Sequence, residues 1–242
     1  MSFDIASIST GKQVKPPRIV LFGVEGIGKS TFAAGAPNPI FINMEDGLGS
    51  IDTASFPLAT SSADVMKAIS TLYNEEHDFQ TVVLDSADWL ECVLQDEINA
   101  KYSVQDLSYG KGALILADKW REVLAGLDAL RNGRNMSVIM LAHSEIKRFE
   151  APESDPYDRY VLKLQTRSSA VVREWCDALL FANQKTIIKR TEGKGFSGDH
   201  VRGISTGQRV MFTSEMPAYQ AKNRYSLPAE LPLSWEAFAA NF

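Results

Sequence analysis

Residues 23–30 read Gly-Val-Glu-Gly-Ile-Gly-Lys-Ser, and this stretch decides the fold. It fits the pattern G-x-x-x-x-G-K-[ST], in which glycines let the backbone turn tightly and aim its N–H groups at phosphate oxygens. The apolar run 19–22 before it predicts a buried strand, and residues 29–34 after it are compatible with a helix. A glycine-rich turn can match this pattern by chance, but the flanking strand and helix favour a phosphate-binding loop.

The motif gives each of its polar side chains a chemical role. The Lys29 amine would reach the β- and γ-phosphates, and the Ser30 hydroxyl would bind Mg²⁺. We therefore predict that the chain binds and hydrolyses ATP, with Mg²⁺ as the accompanying ion. The predicted nucleotide-binding residues are Gly23, Val24, Glu25, Gly26, Ile27, Gly28, Lys29, Ser30 and Thr31.

Composition limits the class of protein. A chain of 242 residues that is 45% hydrophobic is long enough for one domain with a packed core. The net charge of -5 argues against a generic nucleic-acid coat, although 17 of the 25 Lys and Arg residues follow residue 120. No segment is apolar enough to span a membrane, and the N-terminus lacks a signal-peptide core. Two well-separated cysteines are expected to be reduced, which favours the cytoplasm.

The order of predicted elements indicates an α/β fold. Early strands alternate with helices, which predicts a mostly parallel sheet with helices on both faces, and later strands in hairpin style predict an antiparallel extension. The predicted early strands are 39–44, 81–85 and 136–142, and the predicted early helices are 61–74, 89–100 and 116–130. The predicted later elements are helix 169–176, strands 178–182, 186–189 and 209–213, a mobile Gly-rich hairpin 193–207 and a last helix near 235–238. Residues 1–17 are predicted to form an arm ahead of the core, 18–242.

Polar residues end several of these strands, and their side chains should meet at the carboxyl edge of the sheet. Asp85 is expected to hold Mg²⁺, the alternative being a cap for the helix that follows. Glu45 is a candidate to orient the attacking water, with Asp46 as its rival. His143 is a candidate sensor of the γ-phosphate, the alternative being a structural histidine at a strand end.

Two segments, 101–112 and 144–168, are predicted to be loops. The second interleaves cations with aromatic side chains, a composition that binds single strands by phosphate contact and base stacking. Its acidic residues weaken this signal, so a solvated loop remains the alternative. The candidate DNA-binding residues of the two segments are Tyr109, Lys111, Lys147, Arg148, Phe149, Arg159 and Tyr160.

Taken in order, these motifs resemble the RecA-like recombinases. The phosphate loop shares the glutamate at its third position with bacterial RecA, and residues 41–45, Phe-Ile-Asn-Met-Glu, look like the family's strand that ends in the catalytic glutamate. Residues 82–86 resemble the metal-site strand with its Asp-Ser ending. Residues 138–143 resemble the strand that ends in a γ-phosphate sensor, commonly Gln and here His. The resemblance implies that Glu45 is catalytic and that 101–112 and 144–168 bind DNA.

Two further segments resemble parts by which RecA-like subunits meet. Lys222-Asn223-Arg224 is similar to the Lys-Asn-Lys segment of bacterial RecA, which implies that Lys222 and Arg224 reach the nucleotide of a neighbouring subunit. Two surface cations before a strand are the alternative. Residues 3–6 fit the Phe-x-x-Ala pattern by which archaeal and eukaryotic recombinases dock onto the next subunit. Together these segments imply self-association into a filament or a ring.

The overall pattern is most similar to phage-encoded RecA-like ATPases, including the Sak-type single-strand annealing proteins. The resemblance implies an ATP-dependent single-stranded-DNA-binding recombination or annealing protein in the host-cell cytoplasm. A single-strand-binding or replication protein would be a further partner, and no membrane is implied. Two alternatives stay open: an ATPase accessory or loader that acts on a replication protein, and a P-loop phosphotransferase.

Overall fold

The structure is a computed structural model that describes residues 4, 8, 10–11, 15–153, 155–191 and 200–241. For 188–191 and 200–204 it describes the backbone alone. The predicted docking segment, residues 3–6, lies outside the described residues except for Asp4. Residues 193–199 of the predicted mobile hairpin, 193–207, also lie outside them.

Strands and helices alternate through the first half of the chain, as predicted. The strands are β1 (Arg18–Gly23), β2 (Pro39–Asn43), β3 (Ala54–Ser55), β4 (Thr81–Asp85), β5 (Ser137–Phe149), β6 (Tyr157–Leu162), β7 (Ala178–Thr191), β8 (His200–Phe212), β9 (Lys222–Asn223) and β10 (Glu230–Pro232). The helices are α1 (Lys29–Ala34), α2 (Ser62–Asn74), α3 (Ala87–Lys101), α4 (Lys111–Gly133), α5 (Thr166–Trp175) and α6 (Trp235–Ala239).

The described strands form one twisted sheet in the order β10-β8-β7-β1-β5-β4-β2-β3, with β6 paired to β5 and β9 paired to β7. The run from β7 to β3 is parallel, whereas β8, β10, β6 and β9 are attached in antiparallel pairs. The predicted α/β fold, a mostly parallel sheet extended by antiparallel strands, is therefore confirmed. Strand β5, which contains His143, lies between the phosphate-loop strand β1 and the Asp85 strand β4.

Both faces of the sheet are covered, which is why its central strands are apolar without alternation. Val20 and Phe22 of β1 belong to the core beneath α2, α3, α4 and α5. Ile19 and Leu21 point the other way, into the core that contains Phe32 of α1 and Phe238 of α6. Every side chain of β1 after Arg18 is thus buried, so the loop that follows starts from a rigid base.

The second half departs from the predictions in one important respect. The predicted loop 144–168 is wrong: β5 continues to Phe149 and pairs with β6 as a β-hairpin, and α5 already begins at Thr166. The predicted strands 178–182 and 186–189 are parts of one long strand, β7. The other predicted loop, 101–112, is a short turn region between α3 and α4, and Lys111 is the first residue of α4. Within the described residues, no helix is long and apolar enough to cross a membrane.

Candidate nucleotide site

The phosphate loop joins the end of β1 to the start of α1, and its glycines are required by the backbone. A Cβ atom on Gly23 would lie 2.2 Å from the carbonyl oxygen of Ala182 on β7, so only glycine lets the two strands meet there. Gly26 and Gly28 have φ values of +67° and +109°, which side chains disfavour. Ile27 is buried in the core on the α1 face and anchors the middle of the loop.

Lys29 lies inside this loop rather than in solvent. Its side chain is buried, and its Nζ donates to the carbonyl oxygens of Gly23 and Val24 at 3.4 and 3.1 Å. Burial lowers the pKa of Lys29, an effect offset in part by nearby carboxylates. Those carboxylates belong to Asp85, Asp88, Glu45 and Glu25. One buried ammonium thus faces four acidic groups at the carboxyl edge of the sheet.

Ser30 and Asp85 meet as the sequence predicts. The Ser30 hydroxyl donates to Oδ2 of Asp85 at 2.7 Å, which ties the first turn of α1 to the end of β4. Burial raises the pKa of the Asp85 carboxyl, and the hydrogen bond from Ser30 opposes part of that rise. Asp85 does not cap the next helix, because the residue at the N-cap of α3 is Ser86.

The oxygens around Asp85 fit a Mg²⁺ ion. A hydroxyl and a carboxylate side by side are the hard oxygen ligands that Mg²⁺ prefers. Asn43 Oδ1, on the residue paired with Asp85, and Ser86 Oγ are both buried without a hydrogen-bond partner, and both can bind water molecules of a hydrated ion. The described residues contain no cluster of three or more acidic, His or Cys side chains that could hold a metal alone. A Mg²⁺ ion held by Ser30 and Asp85 would take its other ligands from phosphates and water.

Glu45 lies at the same edge of the sheet. The strand-like pairing of β2 continues one residue further, because the Met44 N–H donates to the Asp85 carbonyl at 2.7 Å. Glu45 follows and lines a cleft of about 760 Å³ together with Glu25, Asp88 and His143. Its rival Asp46 is exposed and does not line this cleft. The geometry therefore favours Glu45 over Asp46 as the carboxylate that faces a substrate.

His143 is held by Asp88, a residue that the sequence analysis did not single out. Asp88 accepts hydrogen bonds from the His143 backbone N–H at 2.9 Å and pairs with ring Nδ1 at 2.8 Å. Burial alone would raise the pKa of the Asp88 carboxyl, but the hydrogen bonds from His143 outweigh it and the pKa is lowered. A carboxylate accepts only, so Nδ1 carries a proton and the other ring nitrogen, Nε2, is left for a different partner. His143 is therefore an oriented side chain.

The hairpin formed by β5 and β6 divides the predicted DNA-binding residues into two groups. Lys147, Arg148 and Phe149 are at least one third exposed. Arg159 is buried, and its Nη2 pairs with Glu215 Oε1 at 2.7 Å. Tyr160 stacks on Phe181 with ring centroids 5.0 Å apart. Arg159 and Tyr160 thus hold the hairpin against the sheet. Because Arg159 is buried, its side chain is not available for the predicted contact with DNA, whereas Tyr160 is half-buried.

Tyr109 and Lys111 lie on the turn region before α4. Tyr109 is fully exposed and has a positive φ of 53°, and Lys111 is also exposed. Both side chains can be reached by a ligand. The described structure does not bring either of them into the cleft lined by Glu45.

Lys222 and Arg224 lie at the opposite edge of the sheet, beside the start of β7. The Lys222 amine donates to three backbone carbonyls at the end of α5, those of Arg173, Glu174 and Cys176, at 2.6 to 3.0 Å. It therefore caps that helix within its own subunit. Arg224 makes one contact of 3.3 Å with Asp177, and about half of its side chain is exposed. Of the two predicted trans-acting cations, Arg224 is the one that can reach another molecule.

Comparison with known protein families identifies the domain. The family model described as AAA domain matches residues 15–225. Among solved structures, the RadB recombinase aligns with 92% of this chain and 90% of its own, at 14% identity and a TM-score of 0.49. No curated protein sequence matches. Since the family model covers most of the chain, this protein belongs to the AAA domain family of P-loop ATPases.

Proposed function

We propose that this protein is an ATP-dependent single-stranded-DNA-binding recombination or annealing protein of the phage-encoded RecA-like type, which hydrolyses ATP at interfaces between subunits. The ATPase part follows from the family and from the site around Lys29, Ser30 and Asp85. The DNA part and the assembly are the proposal.

The chemistry would be shared among the residues of the carboxyl edge. Lys29 binds the β- and γ-phosphates and neutralises charge that develops during transfer of the phosphoryl group to water. Ser30 and Asp85 would hold Mg²⁺, which supplies further charge neutralisation on the phosphate oxygens. Glu45 orients the attacking water and accepts its proton. Because Lys29 binds the phosphates and Glu45 orients a water molecule, the phosphoryl group would be transferred to water rather than to another acceptor.

One observation carries the coupling to DNA: β5 is a continuous strand that serves both sites. Its first half pairs with β1 and β4 inside the core, and His143 pairs with Gly23, the first residue of the phosphate loop. Its second half is the hairpin strand that exposes Lys147, Arg148 and Phe149. The Lys163 N–H donates to the His143 carbonyl at 3.0 Å, so the return strand is fixed at the same junction. A shift of His143 on γ-phosphate binding would move the base of the hairpin directly.

ATP hydrolysis measured with and without single-stranded DNA tests this proposal. Wild-type protein should hydrolyse ATP faster with the single strand than with duplex of the same length, and Lys29→Ala should abolish turnover in both. Arg148→Ala, which leaves the nucleotide site intact, should keep the basal rate and lose part of the stimulation. Turnover that is unaffected by single-stranded DNA would refute the coupled DNA function.

A second candidate, an ATPase that acts on a protein partner, is favoured by the charge of the cleft beside Glu45. Five of its lining residues are acidic: Glu25, Glu45, Asp88, Glu91 and Asp96. These carboxylates repel DNA phosphates but suit a cationic segment of a protein. Stimulation of ATP turnover by a replication protein in the absence of DNA would support this candidate over the first.

A further inference from the structure

Arg209 of β8 approaches the phosphate loop from the side opposite to Asp85. Its Nη1 lies 3.2 Å from the position that a Cβ atom would occupy on Gly28, and no other polar side chain lies as close to that position. The strand order explains the approach. Ala182 of β7 pairs with Gly23, and Gln184, two residues further along β7, pairs with Arg209, so Arg209 is level with the loop just past the end of β1.

Among the described residues, the guanidinium of Arg209 has no competing partner. The residue is exposed, and within the described part of the chain its guanidinium makes no hydrogen bond or ion pair, although its backbone carbonyl accepts from the Leu233 N–H at 3.2 Å. Other arginines near the sheet are engaged: Arg18 and Arg131 bind Asp177, and Arg159 binds Glu215. An arginine held by its backbone beside a phosphate loop, with its head group free, is suited to bind an anion.

The proposed nucleotide site has several acidic groups, and a second cation would offset part of their negative charge. Four carboxylates act on the pKa of Lys29, and a nucleoside di- or triphosphate would add several negative charges. An ion at Ser30 and Asp85 would neutralise negative charge at the end of the site that lies near β4 and β2. Within the described residues, no cation other than Arg209 lies within 4 Å of the Cβ position on Gly28. Lys185 of β7 is paired with Glu230 at 2.6 Å.

We infer that Arg209 is a nucleotide-binding residue that acts within its own subunit and contacts the α- and β-phosphates of the bound nucleotide. This inference rests on the proposed ATPase site. Glu45 and Asp85 mark the end where the γ-phosphate reacts, and β2 and β4 lie on the other side of β1 from β8. Arg209 therefore meets the part of the phosphate chain that is remote from Glu45 and that ATP and ADP share.

Calorimetric titration of the full-length protein with Mg-ATP and with Mg-ADP tests the assignment. Arg209→Ala should weaken both nucleotides by at least about tenfold, as expected for loss of a hydrogen bond between charged groups. Arg209→Lys keeps the charge but loses the planar fork, so its loss should be smaller. Arg121→Ala is the matched control, since it removes another exposed arginine, one on the surface of α4. It should leave both affinities unchanged.

The outcomes separate this inference from the proposed function. If wild-type protein binds neither nucleotide, the assignment of the ATPase site itself is refuted. If wild-type protein binds both and Arg209→Ala binds them within twofold of wild type, Arg209 does not contact the nucleotide. A loss confined to ATP would place Arg209 at the γ-phosphate and would also overturn the inference. Thermal unfolding of each variant tests whether the substitution of an exposed residue has left the fold unchanged.

Discussion

Asp88→Asn replaces one oxygen of the carboxylate that holds His143 by an amide nitrogen. The hydrogen bonds and the burial of Asp88 indicate how much folding stability is lost. The amide oxygen can still accept from the His143 backbone N–H. The amide nitrogen, however, is a donor, so it cannot accept the proton on Nδ1 that the carboxylate accepts at 2.8 Å. Either that hydrogen bond is lost, or the proton of the His143 ring moves from Nδ1 to Nε2, so that a protonated Nε2 faces the cleft.

The expected loss of folding stability is about 2 kcal/mol, within the range of about 1.5–3 kcal/mol for hydrogen bonds to charged groups. Little solvent screening reduces it, because Asp88 is only 6% exposed. Asp118→Asn provides a matched control. Asp118 pairs with Arg121 on the surface of α4, where its side chain is 69% exposed, so its loss should be below about 0.5 kcal/mol.

Urea unfolding at pH 7 measures both changes, and ATP turnover of the same proteins reports the altered ring of His143. A change in the free energy of unfolding for Asp88→Asn no larger than that of the control would refute the reasoning. The pH dependence supplies a second check. Because the folded-state pKa of Asp88 is lowered, its contribution is present above the unfolded value of about 3.9 and is lost as pH falls through the lower folded value. The gap between wild type and Asp88→Asn should therefore narrow below about pH 4, and a widening gap there would contradict the assignment.

Three further substitutions address the proposed catalytic base, the proposed subunit interface and the proposed DNA-binding hairpin. Glu45→Gln should keep Mg-ATP bound but slow hydrolysis by about 100-fold or more, and unchanged turnover would remove Glu45 as the base. Arg224→Ala should lose DNA-stimulated turnover, and mixing it with Lys29→Ala protein should restore part of it if Arg224 acts on a neighbour's nucleotide; no restoration speaks against a trans contact. Arg148→Ala should reduce the slope of log affinity for single-stranded DNA against log salt by about 0.7, whereas an unchanged slope would mean that Arg148 touches no phosphate.

The first half of the chain was predictable because its local signals agree with the fold. The start of α2 is an example: the sequence predicts a helix over 61–74, and in the structure Ser61 and Asp64 form a capping box at its start. Likewise, β4 ends at Asp85 as predicted, since an apolar run that stops at an acid can be recognised without its neighbours. In such segments each residue's preference and its final position are set by residues a few places away.

The hairpin of β5 and β6 could not be predicted in the same way, because distant residues stabilise it. Arg159 appears in the sequence as one more cation of a polar loop. Its burial depends on Glu215, more than fifty residues later, and on the ring of Phe149 beneath its guanidinium. Asp88 is similar, since it appears as an ordinary acid in the first turn of a helix. Only the sheet brings it to His143, 55 residues away.

The position of Arg224 in the same sheet determines which subunit's nucleotide its side chain can reach. Arg224 binds Asp177, whose carboxylate also accepts from the backbone N–H and the side chain of Arg18, the first residue of β1. The phosphate loop begins at the other end of β1, so about 20 Å of extended chain separates the two. The packed core of the sheet fills the space between them, and Arg224 cannot reach the nucleotide of its own subunit. Any catalytic contact by Arg224 must therefore be made across an interface, whereas Arg209, level with the loop, needs no partner subunit to reach the same ligand.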